Sequence, residues 1–309
     1  MKKTRICELL GIEHPIILGA MGGIASGELA AAVSNAGGLG SVATAFASID
    51  QIRREVEKCK ALTEKPFAVN VPLFHPEAER AVDVVLEQGV RIVSTSAGPP
   101  DRLMPKLKEA GVKTMHVVAN VRGAVRAAEA GVDVVIAEGA ESGGFASREL
   151  IATLVLIPQV VDAVNVPVVA AGGIADGRGL LAALALGAEG VQMGTAFLAT
   201  RECDRVSETY KQVLVSASDA ATGIAAHRLS PLRMVRNKFF EALEELDRVG
   251  KREELMALLG SRQPASEDDP ENGMFICGQV AGLIREVKTI KDLVEGIIKE
   301  AEDLYRGLA

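Results

Sequence analysis

Two glycine-ended stretches carry the first chemical signal in this 309-residue chain. Residues 166–173 read VPVVAAGG and residues 190–195 read GVQMGT. A Val/Ala run without alternation reads as a strand buried on both faces. Gly172-Gly173 and Gly194-Thr195 stand where such strands end, beside the start of the next helix. Backbone N–H groups left bare there are what a phosphate group needs. The same residues also fit ordinary βα turns, in which glycine is common.

Three further stretches are candidates. Gly19-Ala20-Met21-Gly22-Gly23 follows the first apolar run. Its glycines let backbone approach a flat ring, and the Met21 sulfur suits an aromatic face. Asn70 ends a buried run, FAVN, where a lone amide must find partners, either a ligand edge or the next loop. Residues 138–145 read EGAESGGF. Glu138 and Glu141, three apart, with Gly143-Gly144, suggest the lip of a site, or else a solvated loop. Residues 223–236 (GIAAHRLSPLRMVR) bring His227 together with three arginines, either to steer an anion or as a solvated helix face. The four histidines form no H-x-x-H pair, so no metal site is expected. No phosphate-binding G-x-x-x-x-G-K-[ST] occurs.

The elements that must position these residues alternate regularly. Apolar runs at 15–20, 39–43, 66–71, 90–95, 112–119, 132–137, 167–171 and 190–193 predict eight strands. Helical patterns at 26–36, 49–62, 76–88, 101–110, 123–130, 148–164 and 178–186 fall between them. Ser26 is an expected N-cap, and Gly37-Gly38 an expected close. The spacing of roughly 25 residues per βα unit is short but adequate for a (β/α)8 TIM barrel. A doubly wound sheet competes, but eight units in one series favour closure. Beyond Thr195 the rhythm stops. Residues 202–288 read as a smaller, mainly helical lid inserted before a last amphipathic helix at 289–308. Residues 261–273 within it are expected to be mobile. The barrel then comprises 1–201 and 289–309.

Bulk composition agrees. Hydrophobic residues make up 48% and aromatics only 3%, with no Trp. That suits a Val/Ile/Leu/Ala barrel and disfavours base stacking on nucleic acid. A net charge of −7 argues against nucleic acid or an anionic membrane as partner. Four scattered cysteines fit free thiols in a reducing cytoplasm. No apolar stretch is long enough for a transmembrane helix, and the N-terminal residues do not read as a signal peptide.

Taken together and in order, these motifs resemble the flavin-dependent family that includes enoyl-acyl-carrier-protein reductase II and nitronate monooxygenase. IEHPIILGAMGG, AAVSNAGGLG, KPFAVNV, VVIAEGAESGG, PVVAAGGIADGRG, GAEGVQMGT and GQVAGLI carry the likeness over essentially the whole chain. The resemblance implies a TIM barrel holding FMN at the strand C-terminal mouth, with NADH or NADPH as co-substrate and a homodimer as the family expectation. It implies that Met21, Gly22 and Gly23 lie along the flavin ring and that Asn70 bonds its polar edge. Gly143, Gly144, Gly172, Gly173, Gly194 and Thr195 would hold the phosphate, with Gln192 and Met193 beside it. Gly278 and Gln279 would approach from the returning segment.

One position departs from the family. Its loop usually ends G-G-H, and the histidine serves the chemistry; here Phe145 stands in its place. Phenylalanine neither transfers a proton nor donates a hydrogen bond. Nitronate oxidation, which leans on that base, is weakened most. Val117 also falls where nitronate monooxygenases carry a lysine, which favours the reductase branch. The expectation is NAD(P)H-driven reduction of an activated alkene such as a 2-enoyl thioester, carried on acyl carrier protein or coenzyme A. Glu141, Ser142 and His227 are the candidate proton donors. A nitronate-oxidising enzyme and a non-catalytic FMN-binding homologue are the alternatives.

Overall fold

Each short apolar run of the first two hundred residues forms a strand, because β-branched side chains suit a pleated surface packed on both sides. The computed structural model describes residues 3–263 and 267–308. Its strands are β1 (Ile16–Leu18), β2 (Gly40–Ala43), β3 (Phe67–Pro72), β4 (Ile92–Ser96), β5 (Lys113–Val118), β6 (Val134–Glu138), β7 (Gly144–Phe145), β8 (Val168–Ala171), β9 (Gly190–Met193), β10 (Thr222–Ala225) and β11 (Leu232–Val235). Eight of these form one parallel sheet in the order β1-β9-β8-β6-β5-β4-β3-β2. The parallel pairing of Ile17 with Leu39 joins β1 to β2 and closes the ring. The fold is a (β/α)8 TIM barrel.

Alternate strand residues divide between two cores, as a closed sheet requires. Ile17, Ala68, Ile92, Met115, Ile136 and Val169 gather inside the barrel. Val69, Val93, Val135, Ala170 and Val191 face the surrounding helices. The inner core is joined by Ile6, Cys7 and Leu10 of a short helix, α1 (Arg5–Leu10), which the sequence reading missed. At six residues, α1 spans under two turns and gives too little periodicity to detect.

The other helices are α2 (Gly27–Asn35), α3 (Ile49–Leu62), α4 (Ala78–Glu87), α5 (Met104–Glu109), α6 (Val121–Ala130), α7 (Thr153–Ala163), α8 (Gly177–Ala185), α9 (Thr195–Leu198), α10 (Glu208–Val215), α11 (Lys238–Arg248), α12 (Arg252–Gly260) and α13 (Ile290–Leu308). Local capping starts several of them. The Ser26 side chain accepts from the Leu29 N–H, and Ser48 with Gln51 forms a capping box. Asn120 and Asp176 cap α6 and α8 in the same way. α13 packs against both α8 and α2, filling the gap in the helical ring.

Residues 202–288 are mainly helical, as expected, with α10, α11 and α12, and they also carry a small sheet that the sequence reading did not anticipate. β10 and β11 pair antiparallel and β11 also pairs with β7, so a three-stranded sheet ties this segment to the loop after β6. The 223–236 stretch, expected either as an anion-steering group or as a solvated helix face, forms this hairpin. Residues 264–266 of the stretch expected to be mobile lie outside the described residues. Residues 269–273 of the same stretch are pinned: Asp269 accepts from the Glu271 and Asn272 N–H groups, and the Asn237 amide donates to the Gly273 carbonyl. Among the described residues, no helix is long and apolar enough to cross a membrane.

Candidate active site

The C-terminal ends of β1, β6, β8 and β9 surround a cavity. The returning segment at residues 276–280 forms its remaining wall. Of the residues singled out in the sequence, Met21, Glu141, Ser142, Gly143, Gly172, Gly173, Gln192, Met193, Gly194, Thr195 and Gly278 line it together.

Backbone geometry explains the glycines. Gly172 and Gly173 both sit in the left-handed region, with φ of +89° and +72°. A Cβ on Gly172 would also lie 2.8 Å from the Gly139 carbonyl oxygen. Turning the chain here leaves the Gly173 N–H without a carbonyl partner in the turns, and the same holds for Gly194 and Thr195. Such a concentration of unclaimed N–H groups suits an anion. The Thr195 hydroxyl accepts from the Gly278 N–H at 2.9 Å, fastening the returning segment to the end of β9.

The loop after β6 is held by its own polar groups. The Glu141 carboxylate accepts from the Thr153 N–H at 2.9 and 3.0 Å and from the Thr153 hydroxyl at 2.9 Å. It therefore caps α7, whose own N-cap residue, Ala152, cannot. This distant cap also explains why α7 begins at Thr153 and not at the expected 148. Arg233, buried in β11, donates from Nε to the Ala140 carbonyl at 2.9 Å and from a terminal nitrogen to the Thr222 hydroxyl at 3.2 Å.

Glu138 ends β6 and faces the cavity. Although part of the residue is open to that cavity, desolvation pushes its carboxyl up to about 7, against the lowering effect of a hydrogen bond from Ser142. It is the pocket's perturbed acid, and sequence alone registered it only as half of a carboxylate pair. Cys277, Ile276 and Val280 also line the cavity without having been expected there. Burial pushes the Cys277 thiol up to about 12, so it is no nucleophile.

Several expected residues fall elsewhere. Gly22 and Gly23 are exposed beyond Met21 and do not line the cavity. Asn70 is buried near the end of β3, donating to Ser94 Oγ at 3.1 Å and accepting from Ser96 Oγ at 3.4 Å. Its partners come from β4 and not from the next loop. Gly144 pairs with Arg233 in the small sheet, and Gln279 is exposed while Val280 faces inward. Phe145 is 60% exposed opposite Leu232. His227 is exposed in a separate groove with Glu241, Glu244 and Asp247, so it joins no proton relay here. His116 is buried against Thr95, its Nδ1 2.7 Å from the hydroxyl, and burial pushes it down to about 4. Among the described residues, no group of three or more His, Cys, Asp or Glu is arranged to hold a metal.

Known proteins are similar to this chain over nearly its whole length. The family model described as Nitronate monooxygenase matches residues 3–81 and 74–300. A solved structure described as FabK from Thermotoga maritima is 42% identical, with a TM-score of 0.95, and the match covers 100% of this chain and 99% of that one. A probable nitronate monooxygenase of Staphylococcus saprophyticus is 34% identical over 97% of this chain and 98% of its own length. A Mycobacterium tuberculosis protein named (3aS,4S,5R,7aS)-5-hydroxy-7a-methyl-1-oxo-octahydro-1H-indene-4-carboxyl-CoA dehydrogenase is 33% identical, over 97% of this chain and 96% of its own length.

Proposed function

We propose that this chain, which belongs to the nitronate monooxygenase family, is the FMN-dependent oxidoreductase of an activated alkene such as a 2-enoyl thioester, with NADH or NADPH as reductant. Phe145 is the observation that carries this reading. It occupies the position of the family's histidine, and no ring nitrogen is available there to take a proton from a nitroalkane. The 42% identity to FabK, an enoyl reductase, and the CoA thioester in the name of a second relative support the substrate class.

The cavity fits FMN on grounds of its own. Its unclaimed N–H groups at Gly173, Gly194 and Thr195 suit the phosphate end. Met21 offers a polarisable sulfur to the ring. When bound, FMN supplies the hydride chemistry. The protein's part is to hold it, exclude water and keep a proton at hand. Glu141 is committed as an acceptor to Thr153, and His227 lies in another groove. The proton-holding atoms facing the cavity are the Glu138 carboxyl and the Ser142 hydroxyl. Four free, buried thiols fit a reducing compartment, and we place the protein in the cytoplasm.

The test is spectroscopic. Purified protein is expected to be yellow, to bleach with NADH or NADPH under anaerobic conditions, and to recover colour on addition of crotonyl-CoA. Reduced protein that ignores every enoyl thioester but is reoxidised by a quinone would overturn the substrate assignment. The relatives named as nitronate monooxygenases favour a second reading, for which oxygen uptake with an alkyl nitronate is the signature. Bound FMN that neither NADH nor NADPH reduces would mark a non-catalytic homologue.

A further inference from the structure

The chain has eight phenylalanines. Five are buried or partly buried. The three exposed ones are Phe46 at 79%, Phe74 at 47% and Phe145 at 60%. Phe46 and Phe74 lie in the loops after β2 and β3, and Phe145 lies in the short strand β7 that follows β6. One other large aromatic, Tyr305, is exposed, on α13; the exposed phenylalanines are all at the barrel mouth. Concentration at the mouth marks a surface that meets something apolar.

Phe46 and Phe74 form a continuous ridge. Their ring centroids are 5.7 Å apart with planes tilted by 39°. The Phe46 ring rests on Gly22: a Cβ there would lie 3.4 Å from its Cδ2. Gly22 adjoins Met21, which lines the cavity, so the ridge begins at the cavity rim. Phe46 has a φ of +63°, the left-handed region that is unfavourable for a residue with a Cβ. Buried His75 staples the two loops together. Its Nδ1 accepts from the Glu77 N–H at 3.1 Å, and its Nε2 donates to the Ala47 carbonyl at 2.9 Å.

We propose that Phe46 and Phe74 are the binding platform for the apolar carbon chain of the substrate, and that they set its chain-length preference. The proposal rests on the thioester reading and adds where the chain lies. Two rings offer far less apolar surface than a stable dimer buries, but they suit a linear run of methylenes. His75 is a positioning residue that holds the two rings in register.

The experiment measures binding of butyryl-, octanoyl- and dodecanoyl-CoA to the FMN-loaded protein by titration calorimetry. These saturated thioesters are not reduced, so binding is read apart from turnover. Full burial tightens binding about four-fold per methylene, and a half-open platform less, so dodecanoyl-CoA is expected to bind at least about ten-fold tighter than butyryl-CoA. Phe46→Ala with Phe74→Ala is expected to reduce that gradient to under about three-fold, and Phe46→Leu to keep most of it. An unchanged gradient in the double variant, or no binding of any acyl-CoA, overturns the proposal. So does a change from dimer to monomer on substitution in sedimentation velocity, which would make a second copy the occupant. Crotonyl-CoA turnover separates the two readings. A gradient that responds to the variants without turnover leaves the platform standing and removes the substrate assignment; turnover with an unresponsive gradient does the reverse.

Discussion

Gly143 and Gly278 meet backbone to backbone at the cavity rim. A Cβ on Gly143 would lie 2.7 Å from the Gly278 nitrogen, and one on Gly278 would lie 3.2 Å from the Gly143 nitrogen and 2.6 Å from the Glu141 carbonyl oxygen. The loop after β6 and the returning segment are thus in contact with no side chain between them. Gly143→Ala is expected to push them apart, at a cost of about 1–3 kcal/mol from overpacking. Thermal melting and bound flavin per chain measure it. A variant that melts with the parent and keeps its full cofactor would show that the contact does not matter.

Arg233 supports the same loop from behind. Removing it leaves the half-buried Ala140 carbonyl and the buried Thr222 hydroxyl without their partner. Arg233→Met is expected to lower stability by about 2–4 kcal/mol in chemical denaturation. Arg233→Lys should recover little, because a single ammonium cannot reproduce donation from both Nε and a terminal nitrogen. Full recovery by lysine would mean that charge alone is needed.

Glu138 predicts a pH dependence. Its folded carboxyl is raised to about 7 from an ordinary 4.5, so the folded state holds a proton that the unfolded state releases. Its contribution is fully present below pH 4.5 and is lost as pH rises through about 7. Glu138→Gln removes that loss. The stability difference between variant and parent, measured on flavin-free protein, should move in the variant's favour by on the order of 2 kcal/mol between about pH 5 and pH 8. Parallel pH profiles for the two proteins would contradict this.

Tyr210 anchors the returning segment. Its hydroxyl donates to the Ile276 carbonyl at 2.5 Å, and its ring stands edge-on to Phe275 with centroids 5.0 Å apart. Tyr210→Phe keeps the ring contact and strands the carbonyl, costing about 1–3 kcal/mol. Because Ile276 and Cys277 line the cavity, flavin should also dissociate faster. A change in flavin release without a change in melting temperature would separate local from global loosening.

Phe145→His returns a proton-transferring group to the loop. Oxygen uptake with a neutral nitroalkane is expected to rise by about 100-fold, the usual scale of general base catalysis. Uptake at full rate by the unaltered protein would show that another group supplies the base.

Much of this molecule was legible in its sequence because the deciding forces are local. Val and Ala runs such as 166–171 can only be strands packed on both faces, and Ser26, Ser48 and Asp176 cap helices within their own first turns. Eight such units in series determined the barrel, and the paired glycines at its strand ends marked where the cavity lies. Tertiary structure alone decided what the polar residues do. Glu141 is a helix cap because Thr153, twelve positions on, begins a helix that has no cap of its own. Glu138 is pushed up to about 7 because the enclosing walls come from β6, β8 and the returning segment. His227 and Asn70, plausible partners by type, were placed against other neighbours by the hairpin and by β4. Periodicity fixes which face a residue presents; the company it keeps there depends on segments distant in the chain, whose approach no local pattern encodes.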